Sequence, residues 1–397
     1  MAGLSNAVRE YRSDLIRDFL QTQGCDALAV SGTEWFEWIS NCEIHEHVPE
    51  RPIILIVTAS GESFTIVSEL SRHAVTTAAQ RGALWIDTVH HYPECPHQQV
   101  AGRTLREWPQ IVAEVLSSAG LAQARIAVDS VTKRFALVAG LLPGLQWVEP
   151  GEALHRLRWC KHPDEVATMR RAAALSVWAI DVYREEMRPG RFLKEIDFQV
   201  AARLSAEAGR TMPGENFVIS SIFTLSGVNS SSPKGDGAAS GKVLEKDTIA
   251  ITTIGTRLNG LSAEIIRPWL TGSPPREMLR LLDVTQAAQQ ASIDAAVAGK
   301  AVRGIHEAAL AVYERAGVAN RYCLRAGHGI GVVMHDFPTA LQFEDRALLA
   351  GETYAIEPSV CVPGVGGFRF SDSVVVGARQ PELITPQKGE KIGRIAA

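Results

Sequence analysis

Residues 325–338 read Arg-Ala-Gly-His-Gly-Ile-Gly-Val-Val-Met-His-Asp-Phe-Pro, and Ala-Ile-Glu-Pro follows at 355–358. Glycine carries no Cβ, so backbone of this composition turns tightly and lets neighbouring chain approach closely. The segment therefore sets two imidazoles, His328 and His335, and one carboxylate, Glu357, inside closely packed chain. Imidazole titrates near neutral pH, and a carboxylate in a closed site has its pKa pushed upward, so both types are suited to moving protons. Glu264 is the fourth such group: in the run Gly-Leu-Ser-Ala-Glu-Ile-Ile-Arg-Pro at 260–268, strand alternation sends Ser262, Glu264 and Ile266 to one face.

The rest of the chain bounds what these groups can serve. At 397 residues, 46% apolar and with a net charge of −4, it has the length for two domains and the composition of a soluble globular protein. No basic stripe points to nucleic acid. The first ten residues lack a cationic end followed by an apolar core, and no apolar run approaches the length of a membrane span, so a cytoplasmic enzyme is expected. Six cysteines, at 25, 42, 95, 160, 323 and 361, stand singly, which fits reduced, buried thiols.

Periodicity predicts an α/β region first. A helix over 8–22 precedes a strand at 27–30, and apolar runs at 52–57 and 63–67 form a hairpin around Ser60-Gly61. Helices at 102–118 and 133–141 alternate with strands at 125–128 and 145–148. Residues 148–161 hold the boundary, and a long helix starts near Pro163, with Asp164 and Glu165 in its first turn where the helix dipole favours acidic groups. Helices over 193–208 and 276–298 are expected to cover an antiparallel sheet of strands at 249–254, 261–270, 354–361 and 373–376.

Several landmarks occur in a fixed order: Lys161-His-Pro-Asp-Glu165, Ser226-Gly-Val-Asn229, the strand pair 247–253 and 260–270, Gly327-His-Gly-Ile-Gly331, His335, Ile356-Glu-Pro358 and Gly367-Phe-Arg-Phe-Ser-Asp372. From Lys161 to Val376 this set resembles the methionine aminopeptidase, prolidase and creatinase superfamily (M24). The resemblance implies an α/β (α+β) chain, with a creatinase-like or prolidase-like N-terminal α/β domain at 1–155 and a pita-bread catalytic domain at 156–397. It also implies a homodimer with active sites near the subunit interface.

Metallopeptidases of that superfamily hold two ions with two Asp, one His and two Glu. By resemblance those places fall on Thr253, Glu264, His328, Glu357 and Ser371, so two carboxylates are lost. Hard divalent ions are balanced by oxygen ligands and negative charge, and this loss makes a dinuclear centre untenable. Creatinase, the metal-free member, is similar in this pattern. The expectation drawn here is a centre with no metal and no other cofactor, the alternative being one divalent ion on Glu264, His328 and Glu357.

On that reading the chain is a metal-independent hydrolase of a C–N bond in a small amide, amidine or guanidino compound bearing a carboxylate. His328 or Lys234 would shuttle the proton, Lys234 standing near the place of a catalytic His that creatinase has and this chain lacks. Glu264 and Glu357 would grip the nitrogen-rich group, and His335 would steady the tetrahedral intermediate. Asn229, Thr253, Ser371 and Arg369 are candidate substrate contacts, with Arg369 and Asp372 also expected to brace the sheet as an ion pair. Arg51 aligns loosely with the arginine that creatinase lends to its partner subunit; Trp35, Trp38, His45 and His47 lie just upstream as core or pocket wall. The rival readings are a mononuclear metal-dependent Xaa-Pro aminopeptidase or prolidase, a small-molecule lyase, and a non-catalytic pita-bread binding protein.

Overall fold

A computed structural model describes residues 3–44, 50–93, 107–232, 240–322, 325–386 and 389–395. The chain divides into two units, Met1–Leu157 and Arg158–Ala397.

In the first unit, α1 (Asn6–Gln23) opens on Ser5, whose side chain accepts from the Val8 amide, and stops at Gly24 in the left-handed conformation. It is followed by β1 (Ala27–Val30), α2 (Thr33–Ser40), β2 (Ile54–Thr58), β3 (Ser63–Ser68), α3 (Arg72–Gln80) and β4 (Thr88–Tyr92). Then come α4 (Trp108–Ser118), β5 (Arg125–Val128), α5 (Lys133–Leu141), β6 (Gln146–Val148) and the short α6 (Glu152–His155). The strands form one mixed sheet in the order β4-β3-β2-β1-β5-β6. The β2–β3 hairpin is antiparallel, whereas β1 runs parallel to β5 and β5 to β6, the last pair being joined through helix α5. Trp35 and Trp38 of α2 are core residues, packed edge to face at 5.8 Å. The helix expected from residue 102 is described only from Trp108; residues 102–106, and His45 and His47, lie outside the described residues.

The second unit begins with α7 (Pro163–Glu186), and its start is written in the sequence. Pro163 occupies the first turn, where a missing N–H costs nothing, and the Glu165 carboxylate accepts from the His162 amide at 2.7 Å. Next are α8 (Leu193–Thr211), β7 (Phe217–Ser226), β8 (Thr248–Leu258), β9 (Leu261–Thr271), α9 (Arg276–Ala295) and α10 (Gly304–Arg315). Short strands follow: β10 (Gly327–Gly329), β11 (Thr353–Ile356), β12 (Ser359–Val362), β13 (Gly366–Arg369), β14 (Ser371–Val375), β15 (Glu382–Leu383) and β16 (Gly393–Ile395). The main sheet runs β10-β11-β14-β9-β8-β7, with β15 on β14 and β16 on β9.

One turn fixes the register on which the site depends. Asn259 and Gly260 both have positive φ, 46° and 82°, the conformation of a two-residue type I′ hairpin loop. It pairs Leu258 with Leu261 and so sets Gly255 opposite Glu264 and Thr253 opposite Ile266. Ile265 and Trp269 of β9 pack with α7 and α8, and alternation turns Glu264 to the other face of the sheet. On β14 the helix-facing residues are Asp372, which accepts from Gln289 of α9, and Val374, while Ser371 points the opposite way, to Glu264. The helices thus cover one side of the sheet and leave Glu264 and Ser371 on the other.

Two expected elements differ. The strand predicted over 354–361 is broken at Glu357-Pro358 into β11 and β12, which belong to different sheets. Proline has no N–H for a ladder and interrupts the run. Helix α10 and strand β7 were not legible at all, and α9 ends at Ala295 rather than 298.

Candidate metal centre

His328 is the middle residue of β10, paired with Ala355 of β11. A Cβ at Gly327 would stand 2.2 Å from the Ala355 carbonyl oxygen, and one at Gly329 2.3 Å from that of Phe337, so only glycine on both sides lets the neighbouring chain close around the imidazole. The ring is fully buried. Its Nδ1 lies 2.9 Å from the Gly329 carbonyl, an acceptor, so Nδ1 carries the proton and Nε2 the lone pair. Among the described residues Nε2 has no hydrogen-bond partner, and Oε1 of Glu357 lies 3.6 Å from it. Burial lowers the His328 pKa, the Glu357 charge only partly offsetting it.

Glu264 is also buried, and its Oε1 accepts from Ser371 Oγ at 2.8 Å. Burial first, and the nearby Glu357 second, raise its carboxyl to about 7, against the pull of Ser371, His335 and Arg369. His335 is exposed, with its ring 4.1 Å from that of His328, and burial of part of the ring and the neighbouring imidazole lower its pKa. Arg325 Nη2 donates to its Nδ1 at 3.3 Å. Glu357 is fixed at the β11–β12 break, its amide donating to the Ala326 carbonyl at 2.7 Å, with Arg369 Nη1 3.9 Å from its Oε2.

Ligand atoms of Glu264, His328 and His335 lie within 4.8 Å of one another. A lone pair facing a carboxylate oxygen across 3.6 Å, both shielded from water, calls for a cation or a proton between them. The donor set, imidazole nitrogen with carboxylate oxygen, is the kind that holds zinc, manganese, iron or cobalt ions, so these residues fit one divalent ion. The third donor that the geometry brings to Glu264 and His328 is His335, where the sequence pointed to Glu357.

Other expected contacts are distributed unevenly. Thr253 is buried on β8, opposite Ile266, and Ser371 is buried beside Glu264. Asn229 is exposed in the 3-10 turn Gly227–Ser231. Arg51 belongs to the first unit, where its Nη2 pairs with Glu50 at 3.0 Å. Lys234 lies outside the described residues, as do Cys95 and Cys323. Asp372 does not pair with Arg369: its partners are Arg267 at 2.6 Å and Lys391 at 2.8 Å, because alternation along the chain puts Asp372 on the helix side of the sheet. Cys361 is in a disulfide, against the expectation of reduced thiols, whereas Cys25, Cys42 and Cys160 stand outside any disulfide. Sequence reasoning also missed the fully buried pair of Arg158 and Asp336, at 2.7 Å, which holds the residue next to His335; an Asp following a His carries no mark of its distant partner.

Comparison with known proteins bears on this centre. Residues 167–378 match the model of Metallopeptidase family M24. An Xaa-Pro dipeptidase of Pyrococcus furiosus is 24% identical over 239 residues, 60% of this chain and 66% of that protein. An Xaa-Pro dipeptidase of Lactobacillus helveticus is 27% identical over 56% of this chain and 59% of its own length, so the matched region spans less than two thirds of either relative. Dipeptidase PepE from Mycobacterium ulcerans has the same fold, with a TM-score of 0.81 and 23% identity over 100% of both chains.

These findings overturn the expectation of an ion-free, creatinase-like C–N hydrolase with no cofactor. The family is one of metallopeptidases, the relatives are named dipeptidases, and the pocket retains a Glu–His–His donor cluster despite Thr253 and Ser371. Among the described residues no helix is long and apolar enough to cross a membrane. With more than half of its length matched and the two-unit α/β architecture described above, the chain belongs to Metallopeptidase family M24 and has the pita-bread fold.

Proposed function

We propose that the chain is a single-ion peptidase acting on small peptides of the Xaa-Pro dipeptide kind. The observation that carries this reading is Nε2 of His328: a buried lone pair with no hydrogen-bond partner among the described residues, 3.6 Å from a carboxylate and inside a three-residue donor cluster. Glu264, His328 and His335 would hold the ion. A divalent ion so bound lowers the pKa of a water and polarises a carbonyl oxygen.

The chain's own residues supply the rest. Glu357 is placed beside the cluster to take a proton from the attacking water and return it to the departing nitrogen. Arg369, 3.9 Å from its other oxygen, orients it. Ser371, a neutral donor 2.8 Å from Glu264, holds that carboxylate in place without adding charge. With Thr253 and Ser371 both uncharged, the pocket has the negative charge for one ion and not two. The Xaa-Pro dipeptidase names of the relatives supply the substrate class.

The test is release of free proline from a panel of Xaa-Pro dipeptides by the purified chain supplied in turn with zinc, manganese, cobalt and ferrous ions. Turnover with at least one ion, abolished in His328→Ala, is the expected result. No cleavage of any dipeptide with any of the four ions would sink the proposal.

A further inference from the structure

The sheet of the first unit changes direction between β1 and β5. These neighbours run parallel, yet β1 leads through α2 to β2 on one side and β5 leads through α5 to β6 on the other. Connections that leave in opposite directions open a crevice at the carboxyl ends of the two strands, the place where open α/β sheets take small ligands. A cavity of about 390 Å³ stands there, with Ser31, just past β1, and Thr132, just past β5, in its wall. Small-molecule sites begin at about 300 Å³.

The rest of the lining divides by chemistry. Pro52, Ile53, Phe135 and Trp108 make an apolar and aromatic wall, the last two rings 6.2 Å apart, whereas Lys133 and Arg134 begin the first turn of α5. Among the described residues that line the cavity there is no carboxylate. The helix reinforces the positive charge, because its first turn presents backbone N–H groups besides that of Phe135, which the Thr132 hydroxyl caps at 3.4 Å. Asp129 and Glu149 approach this end of the sheet but are engaged. Asp129 accepts from the Ser31 and Gly32 amides at 3.0 and 2.7 Å, and Glu149 accepts from the Val131 amide at 2.5 Å.

Trp108 adds an independent sign. It lines the cavity and is only 8% exposed, and its indole Nε1 is shielded from water with no hydrogen-bond partner among the described residues. The nearby Trp147 indole, by contrast, donates to the Phe135 carbonyl at 2.8 Å. A buried N–H without an acceptor is destabilising, so one in the wall of a cavity calls for an acceptor from outside the chain.

We propose that this cavity binds a small organic oxyanion, a carboxylate or phosphate ester carried on a planar apolar body. The charged group lies at the first turn of α5 against Lys133 and Arg134, the body lies on Trp108 and Phe135, and an acceptor atom of that body takes the Trp108 N–H. The site is built wholly within the first unit and does not depend on the peptidase reading.

Calorimetric titration of the full chain tests it. The probes are 4-acetylbenzoate and 4-acetylphenyl phosphate as the two oxyanions, 4-acetylbenzyl alcohol as the neutral body, inorganic phosphate as the anion without a body, and benzoate as the body without its acceptor. At least one of the two oxyanions is expected to bind about 10- to 100-fold more tightly than the alcohol, the range of a charged hydrogen-bonding contact, and more tightly than inorganic phosphate. The tighter of the two identifies the headgroup the site is built for. Replacing both Lys133→Gln and Arg134→Gln should remove the advantage over the alcohol and leave the alcohol's own affinity unchanged. Trp108→Phe should abolish the preference for 4-acetylbenzoate over benzoate while the dependence on charge persists. No binding of either oxyanion at millimolar concentration, equal affinity for the alcohol, or an oxyanion affinity unmoved in the double variant, which would place the binding elsewhere on the chain, overturns the proposal. Should the double variant or Trp108→Phe fail to fold, Lys133→Gln alone decides: the position is exposed, and a several-fold loss confined to the oxyanions is expected.

Discussion

Replacing Glu264 with glutamine separates the cost of the centre from its use. In the ion-free protein the Glu264 carboxyl is raised from 4.5 to about 7, by burial first and the Glu357 charge second. The folded state therefore holds this proton more tightly than the unfolded chain, and ionisation disfavours folding as pH rises from about 4.5 to about 7. At 1.36 kcal/mol per pH unit this reaches roughly 3 kcal/mol above pH 7. Glutamine is nearly isosteric, never ionises and keeps an oxygen for the Ser371 hydroxyl. Ion-free Glu264→Gln should accordingly be more stable than ion-free wild type by roughly 3 kcal/mol at pH 8, with the gap closing through pH 7 and absent near pH 4.5. Urea unfolding of chelator-treated protein, followed by tryptophan fluorescence at a series of pH values, measures it. Adding a divalent ion should stabilise wild type and do far less for the variant, because a ligand of the native state raises stability by mass action. A gap independent of pH, or wild type the more stable at pH 8, would refute the reasoning.

Other perturbations test the scaffold. Gly327→Ala puts a Cβ 2.2 Å from the Ala355 carbonyl oxygen, which cannot yield without parting β10 from β11; a loss of about 1–3 kcal/mol and weakened ion binding are expected, and an unchanged melting temperature would contradict this. Asp372→Ala strands the buried Arg267 and should cost about 3–5 kcal/mol in denaturant titration, a loss under 1 kcal/mol being the contrary result. Burial would raise the Asp372 carboxyl, but Arg267 and Lys391 outweigh it and hold it below 3.8. Its stabilisation is therefore complete above the unfolded value and is lost as pH falls below about 4. Asp372→Asn should show a shallower fall in stability between pH 4 and 2, measured by fluorescence.

What was legible in the sequence was local. The start of α7 near Pro163, with Asp164 and Glu165 in its first turn, and the glycines around His328 were read from local sequence, and the elements they bound were found there. Glu264, His328, His335 and Glu357 were read from order and spacing. The burial that leaves His328 Nε2 without a partner depends on three strands meeting, and no sequence distance shows it. Lost carboxylates at Thr253 and Ser371 were read as loss of every ion. The structure instead brings His335 to Glu264 and His328, and a two-ion site losing two ligands retains donors for one. Asp336 was missed, and the readings of Asp372 and Cys361 went astray, for a common reason: their partners are set by tertiary packing, which residue spacing does not show.

The account's central claim is that one divalent ion sits on Glu264, His328 and His335, and elemental analysis of the chain purified without added metal tests it most directly. One ion per chain is expected, falling to near zero in His328→Ala under the same purification. A wild-type chain that carries no ion and takes up none on dialysis against zinc, manganese, cobalt or ferrous salts would contradict it.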